Sequence, residues 1–256
     1  MGVPLVTIRF YEELNDFLPE DRRKKAFDVP FAPGCTTKAL VEDLGIPHTE
    51  VDLVLANGDS VGFDFRLREG DRISVFPQFE SWDITGVSRV RPTPLRETRF
   101  ALDVHLGKLS RLLRRFGFDA SYANAASDEQ IVLVARREKR IILTRDRGLL
   151  KRRAVTHGYL VRSLQPRDQL VEVFRRFDCA GQVSMFTRCI ECNLPLTRVD
   201  AEAVVARVPP VVASTYSNFF VCTGCARVFW RGSHWERMKK LAAEVLGSDP
   251  GSPESR

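Results

Sequence analysis

The chain has 256 residues, 44% of them hydrophobic and 28% charged, which is the composition of a globular protein with two or three domains. It contains no stretch of roughly 20 apolar residues and no secretory signal, so we expect no membrane span and a cytoplasmic location. Residues 1–88 carry 9 Lys and Arg against 16 Asp and Glu, a balance of −7, whereas residues 89–256 carry 30 against 17, a balance of +13. An acidic module is therefore joined to a basic one, and we expect only the basic one to meet a polyanion.

The first 82 residues are predicted to form a domain of four strands and one helix. The predicted strands are 3–10, 27–29, 51–56 and 72–76, with a helix over 37–44 and a turn at Asn57-Gly58-Asp59. The order strand, strand, helix, strand, strand is that of a ubiquitin-like β-grasp fold.

Within this module, the stretch LANGDSVGFDFRLREGDRISVFP resembles the end of the small sulfur-carrier proteins of molybdopterin and thiamine synthesis. Those carriers act through a free C-terminal diglycine, whereas this chain continues into Gln78-Phe79-Glu80. We therefore expect a binding or scaffolding module for a protein partner. A role in cofactor or sulfur metabolism is the weaker alternative.

After a predicted linker over 83–98, apolar strands alternate with amphipathic helices. The predicted strands are 100–103, 141–144 and 159–162, and the predicted helices are 106–116, 127–140 and 169–177. Ser127 and Gln130 fit a capping box at the start of the second helix. This alternation predicts an α/β domain over 99–180 with a mainly parallel sheet. We expect a zinc ribbon over 181–246 and a disordered tail over 247–256.

Four of the six cysteines form two Cys-x-x-Cys pairs, Cys189 with Cys192 and Cys222 with Cys225, separated by 29 residues. Two such turns supply the four thiolates of a tetrahedral Zn²⁺, with no open position, so the predicted zinc is structural. A redox Cys-x-x-Cys is the competing interpretation, although it needs only one pair. The remaining thiols, Cys35 and Cys179, are expected to be buried.

Several carboxylates are placed where α/β proteins build active sites. Asp103 and Asp146 each end a predicted strand, and Asp128 opens the helix before the second of these strands, with Glu129 beside it. Clustered acids of this kind suit Mg²⁺ or Mn²⁺, which can activate water for phosphodiester cleavage. Alternatively, Asp128 is a favourable charge at a helix N-terminus and Asp146 caps a turn.

Basic and aromatic side chains cluster around these acids and after the second cysteine pair. The basic residues at positions 108, 111, 114 and 115 recur at helical spacing, on the face of the helix over 106–116 that points away from its leucines. Each basic cluster by itself is more often a solvated face, but together they resemble a phosphate-binding surface. The aromatic residues are predicted either to stack on unpaired bases or to form the ribbon's own small core. The predicted RNA-binding residues are Lys108, Arg111, Arg114, Arg115, Arg145, Arg147, Arg152, Trp230, His234 and Trp235.

The stretch from FALDVHLGKL to IILTRDRGLL, followed by CIECNLPL and CTGCARVFWRGSHWERM, resembles the Mut-7 C-terminal RNase domain family over roughly residues 98–240. In that family the domain is often preceded by a ubiquitin-like domain, which matches residues 1–80. The resemblance implies a PIN-like nuclease fold in which Asp103, Asp128 and Asp146 bind a divalent metal, with Glu129 as an additional candidate. A fourth acid of PIN nucleases has no clear match here; Asp119 and Asp168 are its candidates.

Two functional hypotheses follow. The first is a metal-dependent PIN-like ribonuclease with a zinc ribbon that assists RNA binding and a β-grasp domain that contacts a protein. The second is a non-catalytic RNA- or ribosome-binding factor, which the +13 balance and the unmatched fourth acid favour. Neither hypothesis identifies the RNA.

Overall fold

A computed structural model describes residues 3–77, 86–90, 95 and 97–246. In chain order its strands are β1 (Leu5–Phe10), β2 (Phe27–Pro30), β3 (Leu53–Ala56), β4 (Asp59–Val61), β5 (Arg72–Phe76), β6 (Arg99–Leu102), β7 (Asp119–Ser121), β8 (Ile141–Thr144), β9 (Gly158–Leu160), β10 (Leu196–Val199), β11 (Phe219–Cys222) and β12 (Val228–Trp230). The α-helices are α1 (Thr37–Asp43), α2 (Gly107–Arg115), α3 (Asp128–Glu138), α4 (Arg147–Lys151), α5 (Pro166–Arg176), α6 (Pro210–Thr215) and α7 (Ser233–Leu246). Short 3-10 helices lie at Glu12–Phe17, Glu20–Arg22, His48–Glu50, Val104–Leu106, Ala180–Gln182, Ala201–Ala203 and Val205–Arg207.

The chain divides into two compact units. One unit comprises Met1–Glu97 and Ser127–Leu160, and the other comprises Thr98–Ala126 and Val161–Arg256. The predicted tail over 247–256, part of the predicted linker over 83–98 and the segment Gln78-Phe79-Glu80 lie outside the described residues. None of the helices in the described ranges combines the length and the apolar character needed to cross a membrane.

The first unit contains a five-stranded sheet with the order β2-β1-β5-β3-β4. The central pair β1 and β5 is parallel, and the other pairs are antiparallel. Alternate residues of β1 face the core, because Val6, Ile8 and Phe10 are all at most 1% exposed. Helix α1 buries Leu40 and Val41. The predicted β-grasp fold is confirmed, with β4 as an addition that the sequence analysis missed.

Local signals set the boundaries in this sheet. Thr36 caps α1 by accepting a hydrogen bond from the Ala39 amide at 3.3 Å. Asn57 and Gly58 both adopt positive φ values, 54° and 97°, as a two-residue hairpin between right-twisted strands requires. Both features agree with the prediction. Strand β4 was missed because its three residues carry little apolar periodicity.

The same unit holds the second half of the α/β segment. Strands β8 and β9 are parallel, and α4 lies between them in the chain. All four residues of β8 are buried, which is typical of a parallel strand covered on both faces. Ser127 and Gln130 form the predicted capping box of α3, and the helix ends at Lys139, whose φ is 52°.

The second unit holds the first half of the α/β segment. Strands β6 and β7 are parallel and α2 connects them, so this part is a β-α-β unit. The mainly parallel character predicted for the α/β segment is confirmed by this pair and by β8 with β9. Helix α5 begins at Pro166, earlier than predicted, because proline suits the first turn of a helix.

Helix α5 packs beside α2 through aromatic rings. The Phe174 ring lies 5.2 Å from that of Phe116 and 5.4 Å from that of Phe118, both edge to face. Cys179 follows α5 and is buried, as predicted, and burial raises its pKa to about 12. Cys35 in the first unit is only half-buried, so the prediction of a buried thiol is wrong there. Its loop position after Gly34 leaves the thiol partly open to solvent.

The C-terminal part of the second unit is an antiparallel sheet with the order β10-β11-β12. It has a small apolar core of Val204, Val208 and Phe219, against which several half-buried side chains pack. A core this small supplies little hydrophobic stabilisation, which is the usual setting for a structural metal.

Candidate metal centre

The four predicted cysteines converge at one end of the β10-β11-β12 sheet. Their sulfur atoms all lie within 4.8 Å of one another, with Cys189 Sγ 3.6 Å from Cys225 Sγ and Cys192 Sγ 3.2 Å from Cys222 Sγ. Four thiolates around Zn²⁺ at about 2.3 Å would be separated by about 3.8 Å, so the arrangement fits a tetrahedral zinc shell. Among the residues that the structure describes, this is the one group of three or more potential ligands gathered so closely.

Two equivalent turns build the cluster. In each turn the residue after the second cysteine has a positive φ, 66° at Asn193 and 57° at Ala226. The amide of that residue donates to the carbonyl of the first cysteine, at 3.0 Å for Cys189 and 3.1 Å for Cys222. The same local geometry therefore arises twice from the Cys-x-x-Cys spacing, and the antiparallel pairing of β10 with β11 brings the two turns together.

Amide groups favour the thiolate form at one of these cysteines. Burial opposes ionisation of Cys222, but the amides of Cys225 and Gly224 and the thiol of Cys192 outweigh it and lower the Cys222 pKa to about 6. Burial raises the pKa of Cys189 to about 12. A bound cation would be needed to ionise all four thiols together near neutral pH.

A buried arginine joins this centre to α2 and β7. Arg114 is 4% exposed; its Nε donates to the Ala120 carbonyl at 2.9 Å, and its Nη1 donates to the Ile190 and Glu191 carbonyls at 3.1 and 2.7 Å. The prediction that Arg114 lies on the exposed face of its helix is wrong. The helical spacing placed it there, but the first cysteine turn covers that face and takes up the guanidinium donors.

Asn193 and Asp119 complete the attachment of the ribbon. The Asn193 side chain accepts from the Ala120 amide at 3.0 Å and donates to Asp119 Oδ1 at 2.6 Å. Arg188 lies 3.5 Å from the other oxygen of Asp119. Asp119, a candidate for the fourth acid, is therefore occupied by structural contacts. Asp168, the other candidate, lies in the first turn of α5.

Asp103 and Asp146 both follow strands, as predicted. Asp103 is 4% exposed, and its Oδ1 accepts from the His105 amide at 3.1 Å. Asp146 is exposed, and its Oδ1 accepts from the Gly148 amide at 2.7 Å, so it caps α4. The alternative prediction that Asp146 caps a turn is confirmed in this form. Whether these acids share a metal ion stays a prediction.

Asp128 and Glu129 both accept hydrogen bonds from Arg152, which is one of the predicted RNA-binding residues. Arg152 donates to Asp128 Oδ2 at 2.9 Å and to Glu129 Oε1 at 2.6 Å. The hydrogen bond from Arg152 is the largest cause that lowers the Glu129 pKa, to about 2. Both acids also lie in the first turn of α3, where a negative charge is favourable. No helical periodicity relates position 152 to these acids, so the sequence carried no signal for this contact.

Four of the other predicted RNA-binding side chains are at the surface. Lys108, Arg111 and Arg145 are exposed, and so is Arg147, whose guanidinium lies 5.0 Å above the Phe17 ring. Arg111 is paired with Glu191 at 2.9 Å. The basic face of α2 thus retains Lys108, Arg111 and the half-buried Arg115 after Arg114 is removed from it.

Trp230 and Trp235 line a cavity of about 290 Å³ in the second unit, here called the aromatic pocket. Trp230 also packs against the small core of the ribbon, as the alternative prediction expected. The side chain of His234 lies outside the described residues. The pocket is lined by Arg115, Phe186, Arg188, Ile190, Leu196, Val228, Phe229, Trp230, Gly232, Trp235 and Met238.

Comparison with protein families assigns both parts of the chain. The Mut7-C RNAse domain model matches residues 98–242, more than half of the chain, and the Mut7-C ubiquitin model matches residues 3–83. Searches of curated proteins and of solved structures gave no significant match. The first match spans the four cysteines and the carboxylates at positions 103, 128 and 146. The chain therefore belongs to the Mut7-C RNAse domain family and carries the Mut7-C ubiquitin domain at its N-terminal side.

Proposed function

We propose that this protein is a metal-dependent PIN-like ribonuclease that hydrolyses phosphodiester bonds in RNA. The observation that carries this proposal is the Mut7-C RNAse domain match over residues 98–242. The matched segment is strongly basic, as expected for a protein that binds a polyanion.

Asp103, Asp128 and Asp146 are the proposed ligands of a catalytic Mg²⁺ or Mn²⁺, with Glu129 as an additional ligand. Their donors are all carboxylate oxygens, the hard ligands that these cations prefer. Such a cation, when bound, activates water and stabilises the leaving oxygen of the phosphodiester. The chain's own contribution is to present the acids after β6 and β8 and at the start of α3, and to neutralise backbone phosphates through Arg145 and Arg147.

For the four cysteines we propose a structural Zn²⁺. The sulfur spacing and the two equivalent turns fit it, and four thiolates leave no position open for substrate. The zinc then acts on RNA only indirectly, by holding the ribbon and its aromatic and basic side chains in place.

The proposal is tested by incubating the protein with single-stranded and structured RNA in Mg²⁺ or Mn²⁺. The decisive variant is Asp103→Asn/Asp146→Asn, because asparagine retains a capping oxygen while removing the negative charge. We expect metal-dependent cleavage by the native protein and a loss of at least about 100-fold in the double variant. Asp59→Asn, which changes the exposed acid at the start of β4, serves as the matched control. Unchanged cleavage in the double variant would show that the site is elsewhere.

A second candidate function is a non-catalytic RNA-binding factor. It is favoured by Arg152, which already neutralises two of the four proposed metal ligands, Asp128 and Glu129. Salt-sensitive RNA binding without turnover in any divalent metal would support this candidate. Product formation that depends on Mn²⁺ would eliminate it.

A further inference from the structure

The aromatic pocket combines rings, positive charge and a defined size. Four of its lining residues are aromatic, namely Phe186, Phe229, Trp230 and Trp235. Its volume of about 290 Å³ is just below the range of small-molecule sites, about 300–1,000 Å³. A cavity of this kind suits one planar ring system and excludes a stacked duplex.

The rings are held in place by the surrounding backbone. Phe186 lies 5.2 Å from Trp235 in an edge-to-face arrangement and 5.4 Å from Phe220. Its φ of 61° is unfavourable for a residue with a large side chain. The conformation is maintained by backbone hydrogen bonds on both sides, from Ser184 to Phe116 at 3.0 Å and from Leu196 to Thr187 at 2.9 Å. Backbone strain that is maintained in this way occurs preferentially at ligand-binding positions.

The pocket lining is positively charged, although Asp119 partly offsets the charge of Arg188. The charged lining residues are Arg115 and Arg188, and no carboxylate is among the lining residues. Arg231 adds a third guanidinium, 5.8 Å from the Phe186 ring centroid and 5.1 Å from that of Trp235. Within the part of the chain that the structure describes, Arg115 makes no hydrogen bond or ion pair, so its donors remain available. An occupant with an aromatic face and a negative charge satisfies both features.

We propose that the aromatic pocket binds one unpaired base of a single-stranded RNA, with Arg115 contacting the adjoining phosphate. The proposal rests on the RNA binding that the proposed function requires, and it assigns to the ribbon a base-binding site distinct from the carboxylates. Stacking on aromatic rings is sequence-tolerant, because every base has a π-face, so we expect selection for single strands rather than for a sequence.

The pocket is also linked to the cysteine centre through the chain. Ile190 lies between the two cysteines of the first turn, and Val228 begins the strand that follows the second turn. Loss of the metal should therefore disorganise the pocket wall. RNA binding through the base should require zinc even though zinc contacts no RNA.

The test measures binding and not cleavage. Fluorescein-labelled oligouridine octamers, with the bases present or with abasic ribose at every position, are titrated with the full chain without added Mg²⁺ or Mn²⁺, and anisotropy is recorded. We expect the native protein to bind the base-bearing octamer on the order of tenfold more tightly than the abasic one. In Trp235→Ala the two octamers should bind with about equal affinity, because the affinity for the base-bearing octamer falls while that for the abasic octamer is unchanged.

Two further variants distinguish the loss of a contact with RNA from unfolding of the ribbon. Trp235→Phe retains a ring and should restore most of the ratio. Arg115→Ala should weaken binding of both octamers and reduce the salt dependence of binding by about one phosphate contact. Arg68→Ala, an exposed arginine in the β-grasp domain, is the matched control. Zinc content and circular dichroism of each variant confirm that the ribbon is intact.

Equal affinity of the native protein for the two octamers would overturn the proposal, as would an unchanged ratio in folded Trp235→Ala. These outcomes are independent of the ribonuclease proposal. A protein that selects the base-bearing octamer but never cleaves RNA retains the pocket assignment and loses the nuclease assignment. A protein that cleaves RNA but binds both octamers equally retains the nuclease assignment and loses the pocket assignment.

Discussion

Each of the two compact units contains one part of the α/β segment together with a different neighbouring module. In the first unit the β8-α4-β9 half packs against the β-grasp domain, and in the second the β6-α2-β7 half packs against the cysteine-bearing ribbon. In both attachments, buried polar side chains bind main-chain groups across the contact. The comparison shows that neither accessory module is a simple appendage, because each satisfies backbone groups that its half of the RNase domain leaves open.

The contacts of the first unit centre on residues around the 3-10 helix His48–Glu50. His48 Nε2 lies 2.7 Å from the Val155 carbonyl, and Glu50 accepts from the Leu160 amide at 2.7 Å. Lys151 donates to the Glu42 carbonyl at 2.5 Å. The acidic module predicted to contact a separate protein therefore also binds its own chain. A separate protein partner stays a prediction.

The second unit differs because its contact depends on a metal centre. Arg114 is surrounded by three carbonyls. Burial lowers its pKa, and the neighbouring cysteines favour its charged form once they are ionised. If Zn²⁺ occupies four thiolates, the complex carries two excess negative charges, and Arg114 offsets one of them. The first unit has no such centre among its described residues.

The largest expected effect comes from breaking the cysteine centre. Cys189→Ser/Cys222→Ser should unfold the ribbon, because structural zinc supplies on the order of 10 kcal/mol in small zinc domains. We expect loss of about one equivalent of zinc and protease sensitivity over residues 181–246, with the first unit still folded. Mass spectrometry of limited digests measures this, and Cys35→Ser is the control. Simultaneous unfolding of both units would mean that they are not independently stable.

The next largest effect should come from Arg114→Ala. It leaves three carbonyl groups without their donor, and we expect the second unit to lose on the order of 3 kcal/mol of unfolding free energy. Arg111→Ala on the same helix removes only a surface ion pair with Glu191 and should cost about 0–1 kcal/mol. Urea denaturation of both variants checks the difference. Equal losses would contradict the assignment of Arg114 as the anchor.

A smaller, pH-dependent effect is expected in the first unit. Burial, followed by Lys38, lowers the pKa of His48 below its usual 6.5, so the unfolded chain binds this proton more readily. The contribution of His48 to the free energy of unfolding should thus be fully present above pH 6.5 and should decrease as the pH falls through this value. We expect the Tm of the native protein to decrease relative to that of His48→Gln between pH 7 and 5.5. The opposite sign would mean that Glu42, 2.7 Å from Nδ1, keeps the ring protonated.

The smallest effect on stability should come from Arg152→Ala. Its ion pairs with Asp128 and Glu129 are exposed, so thermal stability should be unchanged within error. The freed carboxylates should bind Mn²⁺ more tightly, which lowers the concentration needed for half-maximal RNA cleavage. Arg153→Ala is the adjacent control. A higher Mn²⁺ requirement in Arg152→Ala would mean that Arg152 positions the acids for the metal.

The sequence by itself determined what depends on local spacing. The two Cys-x-x-Cys turns, the capping box at Ser127 and the Asn57-Gly58 turn were all predictable, because each is set by residues within a few positions of one another. The β-grasp order and the parallel strands followed from apolar patterns of adequate length. The three-residue strands β4 and β7 carried too little pattern to be recognised.

Only the tertiary structure decided how side chains far apart in the sequence are used. Helical spacing placed Arg114 at the surface, but residues 190 and 191 cover it. Arg152, a predicted phosphate contact, binds Asp128 and Glu129, 24 and 23 positions away. Phe186 joins Trp235 in one pocket across 49 residues. Such contacts depend on how the chain folds back on itself, and no single segment encodes them.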